Sequence, residues 1–132
     1  MREIKFRAFL KADGRIYEVL SVDFLNKEAT LWDKETAVNF EAGFDEIELM
    51  QYIGMEDENG REIYEGDIIE FLENESGETW TAKIVFENLA FKALDVEDKC
   101  YEYDFDDLTD IEILGNIYEN PEILKDTKWG RD

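Results

Sequence analysis

The stretch Ile63-Tyr64-Glu65-Gly66-Asp67-Ile68-Ile69-Glu70-Phe71 enters an apolar strand through a tight Gly-Asp step. A polar loop from Glu73 to Glu78 follows, with Ser76-Gly77 at its tip. The chain then resumes with Trp80, Ala82, Ile84 and Phe86 alternating with Thr81, Lys83 and Val85. Successive side chains of a strand point to opposite faces, so two extended runs about a short polar loop predict an antiparallel hairpin. This hairpin marks a β protein, and the pattern continues in both directions.

Upstream, Asn59-Gly60 is a strong turn signal at the end of the polar run Glu56-Asp57-Glu58-Asn59-Gly60-Arg61. Before it, Ile47, Leu49 and Gln51 alternate with Glu48, Met50 and Tyr52, which predicts a strand. Nearer the start, Ile4, Phe6, Ala8 and Leu10 fall on one side of an extended chain, and Lys5, Arg7 and Phe9 on the other. After the Asp13-Gly14 turn, Ile16, Leu20, Val22 and Phe24 are expected to share a face, and a third run from Ala29 to Trp32 completes an antiparallel meander. Residues 34–40 fit a short helical turn or an irregular connection. Downstream, 90–94, 101–105 and 111–118 keep the short-strand rhythm. Asn120-Pro121-Glu122 predicts a helix start, with Asn as N-cap and Pro at the first helical position. Residues 128–132 carry no pattern, and only docking of Trp129 would order them.

At 132 residues the chain suits one domain or two small subdomains sharing a core. Its net charge is −21, yet 44% of it is hydrophobic and 14% aromatic, enough to pack an interior. The absence of histidine excludes His-based triads, His-containing zinc sites and His pH switches. The single Cys100 supplies neither an intramolecular disulfide nor a CxxC site, which fits a reducing cytoplasm. No window approaches the ~18 apolar residues of a membrane span, and the opening Met1–Arg7 alternates charged with apolar residues, unlike a secretion signal. A soluble, cytoplasmic protein that does not meet the membrane is expected. Asn74-Glu75-Ser76 matches a glycosylation sequon and reads as a loop tip.

Charge also sets the expected partner. The acidic excess repels nucleic-acid phosphates, so a protein is expected rather than DNA or RNA. From Asp95 to Glu112 there are nine acids and one base, Lys99, a run suited to a basic patch on another protein. It is too sparse to imitate a duplex: alternate strand residues repeat at roughly 6.6 Å, whereas DNA carries one charge per ~1.7 Å. Within it, Glu102, Asp104, Asp106, Asp107 and Asp110 would hold a divalent cation only if several converged. Alternation in Tyr101-Glu102-Tyr103-Asp104-Phe105-Asp106 instead puts the aromatics on one strand face and the acids on the solvated one, and no metal is expected.

Asp57, Asn59 and Gly60 share letters with a calcium loop, but aligning Gly60 with its sixth position puts Met55 first and Gly66 twelfth, where Asp and a bidentate Glu are required. A structural turn is the simpler reading. Trp80, Phe86 and Phe91 would serve as stacking platforms for single strands, yet only Lys83 and Lys92 lie among them, so they read as core. Cys100 has no His or second Cys to make it a nucleophile.

Residues 51–68, Gln-Tyr-Ile-Gly-Met-Glu-Asp-Glu-Asn-Gly-Arg-Glu-Ile-Tyr-Glu-Gly-Asp-Ile, and residues 113–124, Ile-Leu-Gly-Asn-Ile-Tyr-Glu-Asn-Pro-Glu-Ile-Leu, follow the opening Arg2-Glu3-Ile4-Lys5-Phe6-Arg7-Ala8. In this order they resemble the YopX family of phage and prophage proteins, whose hallmark runs from a QYTG-like start through a KNG-like turn to IYEGDI and closes on a GNIYENPELL-like segment. Ile53 stands where Thr is expected and Met55 where Leu is usual, and neither residues 26–46 nor the acidic stretch after Leu94 take part. The resemblance implies a mostly-β fold with a small SH3-like barrel and a phage or prophage source, and it brings no established activity or catalytic residues to carry over. Its motif residues also have structural explanations: Gly60 and Gly66 suit turns, Tyr52 and Tyr64 suit half-buried strand positions, and Asn120-Pro121 suits a helix cap. A recognition surface around Tyr52, Tyr64, Asp67 and Tyr118 is the functional alternative, because Tyr is effective at interfaces.

The expected fold is therefore mainly β: an N-terminal antiparallel meander and connection over 1–50, then an SH3-like barrel with a short C-terminal helical segment over 51–132, in one compact unit. The expected function is non-enzymatic binding of a host or phage protein through an acidic surface. Its candidate residues are Tyr52, Tyr64, Asp67, Glu102, Asp104, Asp106 and Tyr118, with no cofactor. Edge strands leave homo-oligomers open. The alternatives are a nucleic-acid-binding barrel using Arg2, Lys5, Arg7, Lys83 and Lys92, and a metal-dependent phosphoryl-transfer enzyme built on Asp104–Asp110.

Overall fold

A computed structural model describes residues 3–87, 89–97 and 101–125. Arg2, Lys99, Cys100 and Trp129 lie outside the described residues. Contacts divide the chain into two units, residues 1–52 and 53–132. The strands are β1 (Phe6–Leu10), β2 (Arg15–Asp23), β3 (Glu28–Asp33), β4 (Val38–Gly43), β5 (Ile47–Glu56), β6 (Glu62–Tyr64), β7 (Asp67–Glu73), β8 (Thr79–Glu87), β9 (Ala90–Asp95), β10 (Glu102–Tyr103) and β11 (Leu108–Asn116). One short helix, α1 (Glu122–Lys125), follows. A six-stranded sheet runs in the order β4-β3-β2-β1-β5-β6, and a five-stranded sheet in the order β10-β9-β8-β7-β11.

The first unit is the expected antiparallel meander with one strand more. Ala8, Tyr17, Ala29, Leu31, Ala42 and Ile47 form its core, flanked by Leu10, Val19, Phe40, Phe44 and Leu49. The face expected for β2 requires correction: Tyr17 and Val19 point inward, whereas Leu20 is 50% exposed. A bulge is the cause. Val19 lies opposite Leu31 and Ser21 opposite Thr30, which makes Leu20 the extra residue and reverses the alternation, so Val22 comes to lie opposite buried Ala29. Residues 34–40, left open between helical turn and irregular connection, contain a turn and the start of β4. The Asp33 carboxylate accepts the Glu35 N–H at 3.0 Å, the Asp33 carbonyl accepts the Ala37 N–H at 2.8 Å, and Ala37 takes φ 58°. β4 then pairs with the whole of β3.

In the second unit the β7–β8 hairpin is as expected, with Phe71 opposite Trp80 and Ile69 opposite Ala82. Its core gathers Ile53, Ile63, Ile69, Phe71, Ala82, Ile84, Ala93, Tyr103, Leu108, Ile111 and Ile113. The strand expected over 101–105 shrinks to two residues, because the Asp104 carboxylate accepts the Asp106 N–H at 3.0 Å and starts a 3₁₀ turn at Phe105–Asp107. The sheet order leaves β10 and β11 at opposite ends, and among the described residues no strand pairing closes the sheet into a barrel. No helix among the described residues is long and apolar enough to cross a membrane.

Candidate functional site

Gly66, in the turn between β6 and β7, has φ 90°, a conformation that strains any residue with a Cβ. Its N–H donates to the Ile84 carbonyl at 2.7 Å, and its own carbonyl accepts the Ile117 N–H at 2.8 Å. Asp67 is 1% exposed, and its Oδ2 accepts the Tyr64 N–H at 2.8 Å. The carboxylate proposed for a recognition surface is thus an interior group that closes a turn. Tyr64 is half-buried, with its hydroxyl donating to Glu62 Oε1 at 3.2 Å.

Asp57 and Asn116 work in the same way. Asp57 Oδ1 accepts the N–H groups of Asn59 and Arg61, each at 2.9 Å, and Oδ2 accepts that of Ile113 at 3.2 Å. Burial pushes the Asp57 carboxyl up, but these backbone donors outweigh it and hold the group below its usual pKa. The structural turn preferred over a calcium loop is what forms. Asn116, also buried, accepts the N–H groups of Tyr118 and Glu119 on Oδ1, at 3.0 and 2.8 Å, and donates from Nδ2 to Glu119 Oε1 at 3.0 Å. The Asn120 side chain turns back to accept the Asn116 N–H at 3.2 Å, while its carbonyl receives the Ile123 N–H at 3.1 Å as α1 begins. The helix start is where the sequence places it, but the side chain expected to cap it belongs to the preceding turn.

The four residues of the tyrosine surface are therefore placed as follows. Tyr52, in the first unit, is 8% exposed, its N–H donates to the Lys5 carbonyl at 2.9 Å, and the Lys5 ammonium sits 5.6 Å from its ring centroid. Tyr64, Asp67 and Tyr118 belong to the second unit, where the bond from Ile117 to Gly66 brings their two turns together.

Glu102, Asp104 and Asp106 are exposed on β10 and the turn behind it. Tyr101 is exposed beside them, its ring edge-on to Tyr103 at 4.9 Å. Glu102 also approaches Lys92 at 3.6 Å. Beneath this edge the Tyr103 hydroxyl donates to buried Asp95, whose other oxygen accepts the Glu97 N–H at 2.7 Å. Burial, reinforced by that hydrogen bond, pushes the Tyr103 hydroxyl well above its usual pKa. The Asp95–Tyr103 pair escaped the sequence reading, although the antiparallel return of a chain from a strand-ending acid to an aromatic eight residues later is a recognisable signal. A cleft of about 340 Å³ opens beside Asp95, lined by Thr79, Trp80, Thr81, Val96, Glu97 and Ile123. Among the described residues no three acidic or thiol side chains gather as metal ligands.

Trp80 and Phe91 pack against the core as expected, while Phe86 is half exposed and meets Phe91 edge-on at 5.0 Å. The cations divide between the units, Lys5 and Arg7 in the first, Lys83 and Lys92 in the second.

The profile of the family described as YopX protein matches residues 5–125. The crystal structure of protein EF1440 from Enterococcus faecalis superposes with a TM-score of 0.64 at 22% identity, over 94% of this chain and 99% of that one. The crystal structure of protein yopX from Bacillus subtilis gives 0.61 at 18% identity, over 97% and 100%. At such identities the likeness is one of fold. No curated protein matches the chain.

Proposed function

The chain belongs to the YopX protein family, and from that premise we propose a phage or prophage accessory protein of the bacterial cytoplasm that binds another protein without catalysing a reaction. The observation that carries this reading is the ordered acidic edge of the five-stranded sheet. Glu102, Asp104 and Asp106 stand exposed beside Tyr101, and the bond from the Asp106 N–H to Asp104 fixes the backbone that bears them. The motif side chains Asp57, Asp67 and Asn116 are engaged with backbone N–H groups, which supports a structural role for the hallmark segments. On this reading the five-stranded sheet is an opened SH3-like barrel whose acidic rim steers a Lys/Arg-bearing partner while Tyr101 supplies apolar contact.

Exposed charge pairs contribute about 0.2–1 kcal/mol each, so neutralising three acids should weaken the complex by roughly tenfold. The test is a pull-down from bacterial lysate with wild type beside a triple variant carrying Glu102→Gln, Asp104→Asn and Asp106→Asn. Asn retains the acceptor that caps the 3₁₀ turn, so the variant keeps its fold. One protein retained by wild type, lost by the variant and released by high salt is expected; equal retention by both would end this assignment of the surface.

A further inference from the structure

We propose a second, independent protein-binding surface at the turn between β2 and β3, where Phe24 and Leu25 insert into an apolar pocket of a partner whose rim carries Lys and Arg. Phe24 is 70% and Leu25 89% exposed, yet the turn that presents them is tightly tied. Asp23 Oδ1 accepts the N–H groups of Leu25 and Asn26 at 3.1 and 3.0 Å, and Oδ2 accepts the Asn26 side-chain amide at 2.7 Å. The Lys27 carbonyl accepts the Phe44 N–H at 2.8 Å, anchoring the turn to the segment after β4. The Phe24 ring leans edge-on against the half-buried Phe44, centroids 6.2 Å apart. Two large apolar side chains are thus held in solvent on a pre-formed support, which lowers the ordering penalty of docking.

The charge around them selects the occupant. Asp23 and Glu28 lie on the strands that bear the turn, Glu41 lies on β4 next to β3, and Asp45 and Glu46 follow Phe44. Against these five acids stand two cations, Lys27 on the turn itself and Lys11, whose ammonium donates to the Asp45 carbonyl at 3.2 Å. Glu41 lies so near Glu28 that its charge holds the Glu28 carboxyl above the usual pKa. A partner cation placed there relieves that repulsion as well as forming an ion pair. A second copy of a chain with net charge −21 is repelled from such a ring, as are nucleic-acid phosphates and an anionic bilayer. A different protein with an apolar pocket and a basic rim remains.

This surface lies in the first unit and the acidic edge at Glu102 in the second, so either can fail alone. In the test, full-length protein carrying photoreactive p-benzoylphenylalanine in place of Leu25 is irradiated in bacterial lysate, beside protein carrying it in place of exposed Leu89. The expected result is one adduct specific to the Leu25 site, on a different protein, whose cross-linked peptide is apolar and flanked by Lys or Arg. Its yield should fall by roughly tenfold or more with Phe24→Ser, and likewise with Glu28→Gln combined with Glu41→Gln. Both changes lie at solvent-facing or mutually repelling positions and leave the fold intact. No adduct, an adduct to a second copy of this chain or to nucleic acid, or an adduct indifferent to these variants would each overturn the proposal.

Discussion

Ile117 donates its backbone N–H to the carbonyl of Gly66 at 2.8 Å, and this bond joins the two segments by which the chain is most readily recognised. Gly66 in turn donates to Ile84 on β8, so one glycine links the entry to β7, the strand beside it and the turn leading to α1. Motif residues far apart in the chain are therefore constrained together through backbone geometry.

Gly66→Ala tests this directly. At φ 90° a Cβ is strained, and both partners, the Ile84 carbonyl and the Ile117 N–H, would have to follow any relaxation. The variant should lose about 1–3 kcal/mol in urea denaturation with an unchanged m-value. A loss of only a few tenths would show that the turn relaxes freely.

Gly115 is constrained by contact. An added Cβ would lie 2.7 Å from Asn120 Cγ, the side chain that accepts the Asn116 N–H. Gly115→Ala should therefore cost about 1–3 kcal/mol. Asn120→Gly costs stability by itself through the lost acceptor, but removes the clash. In a double-mutant cycle the two losses should be less than additive, and strict additivity would refute the contact.

The hairpin of β7 and β8 and the antiparallel run of β1, β2 and β3 were legible because alternation and turn residues act locally. β4 was not, since Val38-Asn39-Phe40-Glu41 has a weak apolar face and is held as a strand by pairing with β3. Leu20 misled for a related reason: a bulge breaks period two without any signature in the side chains. Asp67 and Tyr52 looked fit for a surface because residue type does not reveal burial, and the fold supplies the backbone groups, the Tyr64 N–H and the Lys5 carbonyl, that fix them in place. Glu102, Asp104 and Asp106 were easier, because they alternate with Tyr103 and Phe105, which take the buried face.

Asp57 should make stability depend on acid. Its folded-state pKa lies below the usual carboxylate value, so its stabilisation is fully present above the unfolded pKa and is lost as pH falls through the folded one. At neutral pH Asp57→Asn removes the acceptor for one of three N–H groups and should cost about 1–3 kcal/mol. Denaturation of both proteins at successive pH values should show that difference shrinking below about pH 4, where the unfolded carboxyl protonates. A pH-independent difference would mean that the ionised form of Asp57 has no preference for the folded state.

Tyr103 should act at the opposite end of the scale. Burial first, and the bond to Asp95 second, favour its neutral form in the folded protein, so its pKa is raised. The stabilisation from this group is present below the unfolded tyrosine value near ~10 and is lost as pH rises beyond it. Tyr103→Phe leaves Asp95 buried with one acceptor unfilled, and at neutral pH should cost about 1–3 kcal/mol. The wild-type advantage should then diminish above pH ~10, and ultraviolet titration should find one tyrosine fewer ionising late in the variant than in wild type. If wild type and Tyr103→Phe gave superimposable late titration, the hydroxyl would have to be solvated, and the Asp95–Tyr103 bond could not be what holds β10 against the end of β9.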